Sequence, residues 1–102
     1  MRPVSVSQRV ADRVARDFPA AKQADVLDLL DSISRGSWRI FESETGRERI
    51  QAAVLKLAGG NIDALLAAAA EVEIDWRDVL VAAGMENEDW PERVAEILDQ
   101  PG

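Results

Sequence analysis

The sequence predicts an all-α fold, a compact bundle of about six short helices in which residues 1–102 form a single domain. Three observations lead there. Apolar residues recur at steps of three and four, the spacing of a helix face, and nowhere alternate long enough to make a regular strand. Most of these runs open on a residue able to cap a helix and close on glycine or ahead of proline. A chain of this length also buries roughly two thirds of its unfolded surface in one core, so it needs no covalent staples, and it has no cysteine to make them.

The first helix starts near Ser5 or Ser7 and runs to about Asp17, with Val6, Val10, Val14 and Phe18 on one face and Arg9, Arg13 and Arg16 on another. Pro19 ends it, because proline has no N–H to extend the ladder, and suits the first turn of the next. That second helix spans about Ala20 to Ser34. Val26, Leu27, Leu29, Leu30 and Ile33 form its apolar stripe, and Asp25, Asp28 and Asp31 its wet side. Between Arg35 and Glu44 the period breaks, yet Trp38, Ile40 and Phe41 crowd into this connection. Full burial of such side chains is worth roughly 1.5–3 kcal/mol each, so the segment is expected to fold back over the bundle, with room for a short extended piece at Trp38 to Phe41.

Thr45 and Glu48 have the spacing of a capping box, which starts a third helix running to Ala58. Its wide apolar arc (Ile50, Ala52, Ala53, Val54, Leu55, Leu57) places it near the centre of the bundle, and Gly59-Gly60 stops it. Asn61 caps a fourth helix to about Val72, in which Ala67 to Ala70 allow close approach of a neighbour. Asp75 and Asp78 open a short fifth through Trp76, Val79, Leu80 and Ala83, closed by Gly84. A second capping box, Asp89 and Glu92 around Pro91, starts a sixth through Val94, Ile97 and Leu98, and Gln100 to Gly102 should fray.

Four strings in this half, Arg49 to Ala58, Gly60 to Asp63, Asp75 to Gly84 (DWRDVLVAAG) and Asn87 to Pro91 (containing EDWP), carry a family resemblance. Across residues 47–91 they resemble a family of small uncharacterised bacterial proteins. A weaker likeness reaches back through Arg13, Val14, Asp17 and Phe18 to Val26, Leu27 and Leu30. The resemblance implies a shared fold and brings no activity, ligand or catalytic residue with it.

Composition removes several chemistries. Without cysteine or histidine there is no thiolate metal ligand and no imidazole base. Ser5, Ser7, Ser32, Ser34, Ser37, Ser43 and Thr45 therefore lack a partner to activate them, and only Lys22 and Lys56 are lysines. Gly59-Gly60 stands outside any phosphate-loop pattern. No catalytic residue, cofactor or metal is expected, and the chain reads as a non-enzyme. Glu71, Glu73, Asp75 and Asp78 could hold a divalent ion for metal-assisted chemistry, the last-ranked alternative. Their spacing lacks the central glycine and distal glutamate of a calcium loop, and capping by Asp75 and Asp78 accounts for them better.

Charge is unevenly divided. Residues 1–50 hold nine Lys/Arg against eight Asp/Glu, and residues 51–102 hold three against eleven, for a net charge of −7. So acidic a second half disfavours nucleic acid there. The fourth and fifth helices are ordered like a helix-turn-helix, but the would-be recognition helix offers Arg77 against Asp75 and Asp78. The stripe of Arg2, Arg9, Arg13 and Arg16 fits an anionic partner better. Docking onto the acidic half of the same or a neighbouring chain ranks first for it, nucleic acid second and a membrane surface last. The one sizeable apolar stretch, Ile62 to Ala70, is broken by Asp63 and too short to span a bilayer, so the expected setting is the bacterial cytoplasm without membrane attachment. The function expected is protein–protein interaction or regulation, with a partner protein or a second copy. Its candidate surface comprises Arg9, Arg13, Arg16, Trp38, Phe41 and Arg77.

Overall fold

The computed structural model describes residues 6–35 and 39–99, and every regular element among them is helical. The helices are α1 (Gln8–Asp17), α2 (Ala20–Ile33), α3 (Glu44–Ala58), α4 (Ile62–Ala83) and α5 (Trp90–Leu98), with a 3₁₀ turn at Arg39–Glu42 ahead of α3. Ser5, Trp38 and Gln100 to Gly102, on which the sequence carries expectations, lie outside the described residues.

Five helices replace the six expected, because the two segments on either side of Asp75 run together. Asp75 alone leaves helical geometry (φ −155°, ψ 100°), and its side chain accepts the Arg77 N–H at 3.0 Å. The carboxylate thus caps the second half of α4, as its sequence position suggests, but across a kink with no intervening turn.

Two capping boxes are corrected. Helix α3 starts before Thr45, on Ser43, whose hydroxyl accepts the Gly46 N–H at 3.0 Å. Glu48, released from that role, accepts the Ser7 hydroxyl at 2.7 Å. Asp89 precedes α5 but makes no side-chain cap, since its carboxylate accepts from Arg93 one turn on at 3.2 Å. The caps by Ser7 and Asn61 form as expected, accepting from Val10 and Ala64.

Helix α3 is the axis of the bundle. Ile50 and Gln51 to Leu55 are all buried, so no side of this stretch meets water. It packs against α1, the 3₁₀ turn, α4 and α5, while α2 packs on α1 and α4. Val6, Val10, Val14 and Phe18 enter the same core, as do Val26, Leu30 and Ile33. Phe41 does too, at 6% exposure, so the connection ahead of α3 folds inward as a 3₁₀ turn and not as an extended piece. Asp31 departs from the expected wet side of α2. It is 7% exposed and pairs with Arg35 one turn later, which keeps its charge partnered.

One buried polar chain crosses the core. Gln51, fully buried, donates from Nε2 to the Ser34 hydroxyl at 2.9 Å, and that hydroxyl donates to the Leu30 carbonyl at 2.8 Å. The Ser34 oxygen acts as acceptor and donor together, fastening the end of α2 to the middle of α3.

The turn from α3 to α4 needs two consecutive left-handed residues, Gly59 (φ 55°) and Gly60 (φ 81°). A Cβ on Gly59 would meet open space, whereas one on Gly60 would stand 3.1 Å from the Asp17 carbonyl oxygen. Gly59→Ala is expected to cost about 1–2 kcal/mol, the left-handed penalty for an L-residue. Gly60→Ala should cost measurably more, because backbone cannot give way as a side chain can. Urea unfolding of the two variants checks the order.

Candidate functional site

The arginines of the candidate surface are already engaged within the chain. Arg9 bridges Asp99, at 3.1 Å, and Glu48, at 3.4 Å. Arg13 holds Asp17 at 2.7 Å and donates to the Ile97 carbonyl in the last turn of α5. This places the basic face of α1 against the end of α5, beside Asp99, the residue that follows it. Arg16 also has an interaction within the chain. Of the acidic partners of Arg9 and Arg13, Asp99 belongs to the second half of the chain, and Glu48 and Asp17 belong to the first.

Phe41 leaves the candidate surface because it is buried, and its companion Trp38 lies outside the described residues. Arg77 remains exposed. Its guanidinium lies 5.6 Å from the centre of the Trp76 ring, and it makes no ion pair among the described residues. Nor do Glu71, Glu73, Asp75 and Asp78 converge, since no group of three carboxylates among the described residues could hold an ion.

Cations elsewhere do work that the sequence does not reveal. Helix α4 ends at Gly84 with unpaired carbonyls, and Lys56 of α3 reaches the one on Ala83 at 2.8 Å. Arg49, two turns earlier on the same face of α3, donates Nε and Nη2 to the Met85 carbonyl at 3.0 and 2.5 Å and lies 4.9 Å from the Trp90 ring centre. Burial pulls its pKa below the ordinary guanidinium value, with Glu86 acting in the opposite direction. Arg47 donates to the Phe41 carbonyl at 2.8 Å. Arg47, Arg49 and Lys56 of one helix thus fasten the 3₁₀ turn and the end of α4 around it.

What remains open is an apolar groove of about 350 Å³ between α2 and the first turns of α4. Val26 and Leu65, both buried, make its floor, and the half-buried Leu29 and Ile62 line it. Leu66 stands beside it with 52% of its surface exposed, and Asp25 and Asp28 supply the carboxylates of its edge. A second hollow of similar volume lies at Arg9, Thr45, Glu48, Trp90, Pro91 and Val94, where the Arg9–Glu48 pair lines it.

The groove did not enter the candidate surface, although two signals for it are present in the sequence. Leu65 and Leu66 project about 100° apart on a helix, so when Leu65 faces the core Leu66 must face its edge. Asp25 and Leu29 are one turn apart on α2, which sets a carboxylate beside an apolar position. Neither signal says that the two helices diverge enough to leave space.

No family model matches the chain, and comparison with curated proteins and with solved structures finds no match.

The Arg49 cap is testable. Arg49→Ala is expected to cost about 2 kcal/mol, the range for a charged donor lost from a partly buried acceptor. Arg49→Lys should recover only part of that, because an ammonium cannot donate in a fixed fork while lying flat on Trp90. Equilibrium urea unfolding of the three proteins measures both.

Proposed function

We propose that this chain is a non-enzymatic interaction module of the bacterial cytoplasm, and that it engages a partner protein through the α2–α4 groove. The groove itself carries this reading: an apolar hollow with a buried floor and an exposed leucine at its side, unlike the scattered single apolar residues of an ordinary surface. Ile74 and Val81 of α4 are also exposed, at 75% and 58%. A helical body of this kind offers shape and apolar area to a partner, and among the described residues no group of three carboxylates could hold a metal ion.

A partner seated in the groove must touch position 66. A photo-crosslinking residue placed there in the native host is expected to yield a discrete heavier adduct, while the same residue at exposed Ala15 on α1 should not. Equal labelling at both positions, or none at 66, would refute the groove as the contact.

Nucleic-acid binding through α1 is the competing reading. It requires arginines open to phosphate, and Arg9 and Arg13 are held by Asp99, Glu48, Asp17 and the Ile97 carbonyl. Titration with duplex DNA or RNA is accordingly expected to show no binding even at low ionic strength, where any contact to the phosphate backbone is strongest. Affinity that climbs steeply as salt is withdrawn would restore that reading.

A further inference from the structure

Resting on the proposal that the groove docks a protein, we infer that its occupant is a cationic amphipathic helix. It lays two or three large apolar side chains onto Val26, Leu29, Ile62 and Leu66 and sets Lys or Arg beside Asp25 and Asp28.

Charge selects the sign of the partner. Helix α2 carries Asp25, Asp28 and Asp31 against one cation, Lys22. Helix α4 carries five carboxylates and only Arg77, which lies beyond the kink. Asp31 pairs with Arg35, but Asp25 and Asp28 have no ion pair or hydrogen bond among the described residues, even with Lys22 one turn before Asp25. Among the described residues no Lys or Arg lines the groove, and Arg9, Arg13, Arg35, Arg47, Arg49 and Arg93 each meet a carboxylate or carbonyl elsewhere in the chain. The apolar groove is thus edged by carboxylates left without cations, and a cation arriving with an apolar anchor satisfies both.

Shape selects a helix. The walls are two helices, into whose groove the ridge of a third fits, with contacts repeating at i, i+3, i+4 and i+7. An extended peptide gains its affinity from a sheet edge, and no strand occurs among the described residues. A second copy is a poor occupant. It brings a net charge of −7, its α1 arginines are held internally, and the valine face of α1 is buried in its own core.

Synthetic helical peptides test this with the intact protein. One carries leucines at i, i+3, i+4 and i+7 flanked by Lys and Arg, a second replaces those cations with Glu, and a third with Gln. Fluorescence anisotropy is expected to show saturable binding of the cationic peptide, weakened by added salt, with methyl resonances of Leu29, Ile62 and Leu66 shifting on titration. The double variant Asp25→Asn, Asp28→Asn should weaken that peptide about tenfold and leave the Gln peptide unchanged. Both substitutions are exposed and isosteric, so folding is retained, and circular dichroism verifies it. Leu66→Glu should abolish binding of every peptide. If the Gln or Glu peptide binds as well as the cationic one, the charge inference falls while docking in the groove stands. If no peptide binds yet position 66 still crosslinks to a partner, the helical occupant is wrong and the interaction function survives. Loss of both would remove both. A dimer in sedimentation that Leu66→Glu dissociates would assign the groove to a second copy and overturn the inference.

Discussion

Residues Ala52 to Leu55 project in four directions around α3, and all four are fully buried. A helix in that position must have neighbours on every side, and the rest of the architecture answers this demand. The 3₁₀ turn, α1, α4 and α5 each take a share of its surface. Small residues at Ala52, Ala53, Ala58, Ala68 and Ala69 bring helices close, so the core reaches density with few aromatic rings. Burial on all sides makes an unpartnered polar group costly, and the Gln51 amide N–H meets part of that cost by donating to Ser34.

The same demand governs the cations. A central helix lies within reach of several chain ends, and a helix end presents carbonyls that need donors. Long basic side chains at the margins of α3 meet that need: Arg47 at the 3₁₀ turn, Arg49 past the end of α4, and Lys56 on its last turn. Arg13 does the same for α5 from α1. Each such contact removes a positive charge from the supply that could neutralise surface carboxylates. The acidic character of the exterior follows partly from composition and partly from this internal use of arginine.

The helical class and most element limits were legible because their signals are local. Ser7 and Asn61 cap, and Gly59, Gly60 and Gly84 adopt the left-handed conformation after the third and fourth helices. Misreadings arose where two local solutions compete and a distant residue decides. Thr45 and Ser43 can both cap α3, and Ser43 wins while Glu48 turns to Ser7, 41 residues away in sequence. Asp89 prefers Arg93 to the backbone. Asp31 has the pattern of a solvent-facing residue, yet it is buried with Arg35 as its partner. The six-helix expectation failed for a subtler reason: Asp75 was recognisable as a cap, but nothing local distinguishes a cap after a turn from a cap within a kink. The candidate arginines were recognisable as a stripe, while their occupation by Asp99 and Ile97 is a property of the assembled bundle.

The kink divides α4 into a first half that lines the groove and a second half that does not. A straight helix of 22 residues would run about 33 Å, and α4 bends at Asp75 instead. Bending at Asp75 lets Val79, Leu80 and Ala83 enter the core near Lys56 while Leu65, Ala68, Ala69 and Val72 do so from the other half. The first half packs on α2, and Val26, Leu29, Ile62, Leu65 and Leu66 line the groove between them. Larger side chains could have closed that gap. Instead the exposed neighbours on α4 are Ala67 and Ala70, which add little width, and those on α2 are aspartates that gain nothing from burial. The hollow thus combines an apolar floor at Val26 and Leu65 with the carboxylates of Asp25 and Asp28, unpaired among the described residues, at its edge.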